Sequence, residues 1–238
     1  AISDYYYSWG WESKDDPKVR VLPSLKLRNI SNILTKQNDG LITLIFNITQ
    51  RYPSISFSLP YSGQNLKSFS DCNKFVNGLS KEASSILWIR MYPKNDKGWC
   101  QLERFKKMGF ESKIYSNGYS MYHQLRESRL SIHTSNTTSY METLAANYPT
   151  LAFWNPLHWE IRPEAEPYFE LLKNVGILHY SPESAAEKVN DIYDCVDSWW
   201  SSREVQEAKN EFVHRFAYTS DDLLKEWKNE LTTILKQC

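Results

Sequence analysis

Apolar residues in this chain come in short, nearly unbroken runs separated by stretches with helical spacing. Residues 41–48 form a continuous apolar run rich in β-branched side chains, the pattern of a strand buried on both faces. The pattern recurs at 86–92, which stops at Pro93, and again at 130–134, 149–154 and 177–180. Between these runs, 68–81, 99–108, 137–147 and 164–174 predict helices. The second closes on Gly109 and the last on Gly176, residues suited to a left-handed cap. Ser181-Pro182-Glu183 is a strong helix start, and Ala185, Val189, Ile192 and Val196 then line one apolar face. Two more helices follow near 202–216 and 221–235, while 19–23 and 113–115 predict short strands and 121–127 a short helix. Residues 49–63, with two prolines and Gly63, predict a long loop.

Strands alternating with helices make βαβ units, so the expected fold is α/β, a Rossmann-like parallel sheet flanked by helices. The expected organisation is a connecting segment at 1–40, the sheet domain at 41–200, and carboxyl-terminal helices at 201–238 packed on it. In such sheets ligands bind beyond the carboxyl ends of the strands, so the loops after residues 48, 92, 134, 154 and 180 carry the chemistry.

Charge narrows the partners. Lys+Arg and Asp+Glu balance at 28 each, so the basic excess of a dedicated nucleic-acid binder is absent and no nucleic acid is expected. No apolar run approaches the length of a membrane span, and no signal peptide is visible. The nine tryptophans fit a sugar or nucleoside site and a Trp-rich core equally well. The chain opens at Ala1 within an aromatic stretch, which reads as the interior of a longer protein. The sequence contains no GxGxxG, GxxxxGK[ST] or GxSxG motif and no acidic metal cluster, so no cofactor or metal is expected.

Three loops hold candidate groups. In the first, Arg90 interrupts an apolar strand and therefore needs a partner or a ligand; with Lys94 it suits phosphate. In the second, Ser135, Asn136, Thr137 and Thr138 lie between a strand and the amino end of a helix, whose free N–H groups and dipole favour an anion. Glu142, one turn on, suits ribose hydroxyls. Ordinary capping by a Ser139–Glu142 box fits the same spacing, and both readings stay open. In the third, His158 and Glu160 are the candidate acid and base, within a loop that also holds Trp154, Trp159 and Arg162.

Taken in order, Trp9-Gly10-Trp11, Leu22-Pro23-Ser24-Leu25-Lys26-Leu27, Arg90-Met91-Tyr92-Pro93, the run from His133 to Thr150, Phe153-Trp154-Asn155-Pro156 with His158-Trp159-Glu160, and the Ser181-Pro182-Glu183 helix resemble a family of bacterial transferases associated with O-antigen biosynthesis. The resemblance covers nearly the whole chain but only the carboxyl-terminal half of a family member. More distantly, the layout is similar to GT-B glycosyltransferases that use CMP-activated acidic sugars such as Kdo or sialic acid. In those a His-Pro motif and a serine-rich motif hold the nucleotide; here Tyr92-Pro93 and Ser135, Thr137 and Thr138 stand in their places, with His133 at the head of the second motif. CDP-glycerol phosphotransferases share a similar layout.

The resemblance implies a metal-independent glycosyltransferase half that binds a nucleotide-sugar donor, a CMP-sugar in the first instance. It implies a glycan or lipid-linked acceptor and an amino-terminal domain outside this chain. It also implies a cytoplasmic protein, with peripheral association at the inner face of the membrane. The rival classes are a CDP-polyol phosphotransferase-like domain and a non-catalytic module of a polysaccharide-assembly complex.

Cys72, Cys100, Cys195 and Cys238 are widely spaced, with no CxxC pair, as expected of free thiols in a reducing compartment. Thiol titration of the denatured, unreduced protein is expected to find all four reactive; a count of two or none would overturn this.

Overall fold

The computed structural model describes residues 3–27, 30, 34, 38–52, 60–61, 63–91, 98–115 and 120–236. Near the amino terminus β1 (Tyr6–Ser8) and β2 (Val19–Val21) pair in parallel. The main sheet consists of β3 (Leu41–Ile45), β4 (Leu87–Arg90), β5 (Ser128–His133), β6 (Thr150–Phe153) and β7 (Leu178–His179). All its pairings are parallel, in the order β4-β3-β5-β6-β7, so the fold is the expected α/β sheet.

Alternation along the strands builds two cores, because successive side chains point to opposite faces. Ile42, Leu44, Leu130, Ile132, Leu151 and Phe153 meet Phe69, Cys72 and Phe75 of α1 (Gly63–Asn77), Phe105 of α3 (Gln101–Lys107) and Val189 of α7 (Pro182–Ile192). The short α2 (Lys81–Ser85) leads from α1 towards β4. The alternate positions Ala152 and Ile45 enter two clusters on the other side. Ala152 joins Tyr140 and Leu144 of α5 (Thr138–Ala145), Phe169 of α6 (Glu166–Asn174) and Phe212 of α9 (Arg203–Phe216). Ile45 joins Leu27, Ile30, Leu34 and Leu125 of α4 (Met121–Leu125). The five-residue α8 (Val196–Trp200) contributes Trp200, and the last helix is α10 (Leu223–Leu235).

The two ends of the chain lean on each other. Tyr7 donates to Glu230 at 3.1 Å, Arg20 pairs with the same carboxylate, and the Trp227 indole donates to the Pro23 carbonyl at 2.9 Å. Gly10 (φ 123°) passes so close to α9 that a Cβ there would lie 2.2 Å from the His214 carbonyl oxygen.

Several boundaries differ from the sequence pattern. Ladder pairing of the 41–48 run ends at Ile45, because beyond it side chains take over the hydrogen bonds: the Asn47 N–H donates to Thr134 Oγ1 at 3.3 Å. Helix α1 begins at Gly63, inside the expected loop. Residues 111–113 form a 3-10 turn, and only Ile114 of the expected strand at 113–115 bridges to Ile89. Cys72, Cys100 and Cys195 form no disulfide among the described residues; Cys238 lies outside them.

His133 ends β5 with no exposed surface. Its Nδ1 lies 3.0 Å from Ser139 Oγ, and its Nε2 lies 3.3 Å from Ser131 Oγ and 3.2 Å from Thr143 Oγ1. Burial drives its pKa down from 6.5 to about 3, so the ring is neutral in the native state. The unfolded chain binds this proton below its own pKa of 6.5 while the native chain resists until about 3, so this contribution to stability is complete above pH 6.5 and falls as pH drops. The expected slope from this group is about 1.4 kcal/mol per pH unit through the middle of that window. Denaturant melts from pH 7 to pH 4.5 should show it, and His133→Gln should flatten it; a variant as acid-sensitive as the parent would refute the assignment.

Candidate functional site

The chain leaves β3 towards β4 on one side and returns to β5 on the other. The reversal puts the switch point, at which α/β sheets take ligands, between the carboxyl ends of β3 and β5. Asn47 and Thr134 stand on its two sides. Thr134 Oγ1 donates to the Ile45 carbonyl at 3.3 Å, and Asn47 Nδ2 donates to Thr137 Oγ1 at 3.2 Å. Ser135 Oγ lies 3.1 Å from Thr137 Oγ1, and Asn136 Oδ1 accepts from the Tyr140 hydroxyl at 2.9 Å. Ser135 and Thr134 are buried, and the hydroxyl-rich turn is held from within before α5 begins.

Helix α5 starts here, with Thr137 as N-cap and no side-chain cap on its first turn. The Ser139–Glu142 capping box does not form. Ser139 bonds His133, and the Glu142 carboxylate faces Lys26, with which it pairs, and the Tyr122 hydroxyl, which donates to it at 2.8 Å. Burial, with help from Glu142, holds the Tyr122 phenol protonated well above its usual range. Lys26 also donates to Thr138 Oγ1 at 3.2 Å, so an ammonium from the amino-terminal segment stands beside the first turn of α5. The helix dipole and the first-turn N–H groups add positive potential at the same point.

Arg90 is 9% exposed at the carboxyl end of β4. Its guanidinium reaches Gln124 Oε1 at 3.4 Å and has no carboxylate partner among the described residues. Burial lowers its pKa, with Tyr115 opposing the shift. Tyr92 and Lys94, the other candidates of that loop, lie outside the described residues.

The loop after β6 folds into a 3-10 turn, Pro156–His158, capped by Asn155 Oδ1, which accepts from the Leu157 N–H at 2.9 Å. His158 borders a narrow depression with Ser68, Asp71, Thr134 and Asn155. Burial lowers its pKa, the Asp71 carboxylate pulls it back up, and Lys67 lowers it further. Glu160 lies instead on a second, larger hollow of about 440 Å³, lined also by Pro156, Trp159, Ile161, Glu166, Glu170 and Tyr180. The hollows share Trp159, so they adjoin along the carboxyl edge of the sheet. Burial and then the Glu170 carboxylate raise the Tyr180 phenol; Lys173 opposes this and Glu166 adds to it.

The fold thus brings Ser135, Asn136, Thr137 and Thr138 to the switch point, sets His158 at its flank, and separates His158 from Glu160 into neighbouring hollows. His133 is enclosed behind the turn. Sequence reasoning passed over Lys26, Asn47, Asp71, Glu166, Glu170 and Tyr180. Only Asn47, a polar residue closing an apolar run, carried a local signal. Among the described residues no three His, Cys, Asp or Glu side chains gather as a metal site, and no helix is long and apolar enough to cross a membrane.

Among solved structures, WaaG, a glycosyltransferase involved in lipopolysaccharide biosynthesis, is 12% identical with a TM-score of 0.41, over 90% of this chain and 56% of WaaG. Two structures of the wall teichoic acid polymerase TagF, one of them soaked with CDPG, are each 12% identical, with TM-scores of 0.46 and 0.43, over 98% of this chain and 58% of TagF. The chain thus spans a little over half the length of these proteins. No curated protein matches it. Residues 1–231 match the sequence model of the LIC12162 family transferases, and the chain belongs to that family.

Proposed function

We propose that this transferase chain is the nucleotide-sugar-binding half of a GT-B-type glycosyltransferase of bacterial surface polysaccharide synthesis, working without a metal and with a cytidine nucleotide as the leaving group. The observation that carries the reading is the first turn of α5. It opens at the switch point with its N–H groups free of any side-chain cap, amid Asn47, Ser135, Thr137 and Thr138. The donor phosphate is read at this turn. Preorganised donors there stabilise the charge that grows on the phosphate as the glycosyl bond breaks.

Arg90 supplies further positive charge, since a buried guanidinium that meets no carboxylate among the described residues is stabilised by an incoming anion. Glu142 acts by holding Lys26 at the same turn. His158, with Asp71 beside it, is the group suited to move a proton, and Glu160 faces the transferred sugar. The acceptor, a glycan or a lipid-linked glycan, is read as entering from a second domain across the cleft, at the inner face of the cytoplasmic membrane. The division into a connecting segment at 1–40, a binding domain at 41–200 and packing helices at 201–238 belongs to the same reading.

CMP at millimolar concentration is expected to raise the melting temperature with no metal added, because a ligand that binds only the native state stabilises it. If none of CMP, CDP, UDP and GDP shifts it, the donor site is refuted. Arg90→Ala should weaken CMP ten- to a hundredfold, the loss of a charge-assisted hydrogen bond worth about 1.5–3 kcal/mol. Calorimetric titration beside a denaturant melt separates binding from folding, and an Arg90→Ala protein that melts early yet binds CMP normally would remove Arg90 from the site.

A further inference from the structure

The larger hollow has a composition of its own. Trp159 and Tyr180 supply aromatic surface, Pro156 and Ile161 apolar surface, and Glu160, Glu166 and Glu170 carboxylates. Its volume of about 440 Å³ has room for one sugar ring, and Pro156, Glu160 and Glu166 leave it open to solvent on one side. Glu166 and Glu170 lie four apart on α6 and so share one face, with Glu160 across from them on the loop after β6. Lys173 binds Glu170 at 2.9 Å and stands 5.4 Å from the Tyr180 ring, so one of the three carboxylates is compensated. Glu160 and Glu166 make no ion pair among the described residues.

We propose that this hollow is a glycosyl subsite for a sugar bearing an amino group, one that excludes sugars bearing a carboxylate. A pyranose presents apolar C–H faces and a rim of hydroxyls, which aromatic walls and carboxylates respectively match. Ionised carboxylates only accept hydrogen bonds, so they satisfy hydroxyl and ammonium donors and offer nothing to another carboxylate. The two uncompensated charges of Glu160 and Glu166 favour an ammonium group and repel an acid. The subsite rests on the donor-site reading for its place in a reaction, because it adjoins the depression at Thr134 through Trp159. It runs against the acidic sugars that the distant resemblance to Kdo and sialic acid transferases implies, and confines the kinship to the nucleotide.

The test uses simple glycosides on the whole chain, without nucleotide: the methyl glycosides of glucosamine, glucose and glucuronic acid, followed by saturation-transfer NMR. The glucosaminide is expected to bind about fivefold more tightly than the glucoside at low salt, the size of one or two partly exposed charge pairs. The glucuronide is expected not to bind. High salt, or the double substitution Glu160→Gln and Glu166→Gln, should erase the preference for the amine, so that glucosaminide and glucoside bind alike; a preference that survives both would overturn the subsite. Tyr180→Ala should weaken all binding. Tight glucuronide binding, no glycoside binding at all, or binding indifferent to Tyr180→Ala would each overturn the subsite. Because no nucleotide is present, these outcomes are independent of the CMP melt: a chain that sorts glycosides but ignores nucleotides keeps the subsite and loses the donor site, and the reverse loses the subsite alone.

Discussion

Everything at the carboxyl edge depends on the pairing of β3 with its two neighbours. Ile42 and Leu44 are fully buried at the centre of the sheet, and β3 aligns Ile45 with both Arg90 and His133. The chain departs to one side and returns on the other, so the strand order reverses at the point between β3 and β5. The sheet then continues past its own ladder through both backbone and side-chain bonds. The Phe46 N–H donates to the Arg90 carbonyl at 2.9 Å, and the Thr134 hydroxyl and N–H both serve the Ile45 carbonyl. The switch point is therefore bounded by atoms whose positions the core fixes, which preorganises it for a ligand.

The same constraint explains which part of the molecule is legible in the sequence. Strands buried on both faces must be continuous apolar runs, so 41–48, 86–92, 130–134 and 149–154 locate the sheet, and the alternating helices follow. Boundaries are less visible because polar side chains replace ladder bonds at the strand ends, as Asn47 and Thr134 do. The amino end of α1 lies hidden in a stretch with no apolar period until Asn65, buried with its amide on Thr49 and the Pro60 carbonyl, fastens it down.

Within the site, the reach of sequence reasoning ends where contacts are distant along the chain. The turn from Ser135 to Thr138 is local and could be read. Its capping could not be, because the choice between a Ser139–Glu142 box and a free first turn is made by Lys26, Tyr122 and His133. Lys26 is 116 residues from Glu142 along the chain, by the difference of their numbers. Likewise Glu166, Glu170 and Tyr180 are ordinary helix and strand-end residues until β6 and β7 are set side by side.

A chain with balanced charge can still hold a polarised cleft, and here the two signs are sorted along the sheet edge. Arg90 and the amino end of α5 gather positive potential around β3, β4 and β5, where Lys26 is paired with Glu142; Glu160 and Glu166 gather negative potential beside β6 and β7, where Glu170 is paired with Lys173. Between them lies the depression with His158, Asp71 and Trp159. A single uniformly charged ligand would gain at one end and lose at the other. A ligand with an anionic head and a neutral or cationic body gains at both, and it can lie in one direction only. On the proposed function, sorting the charges would orient the ligand as well as select it, with the junction between head and body at the depression that holds His158.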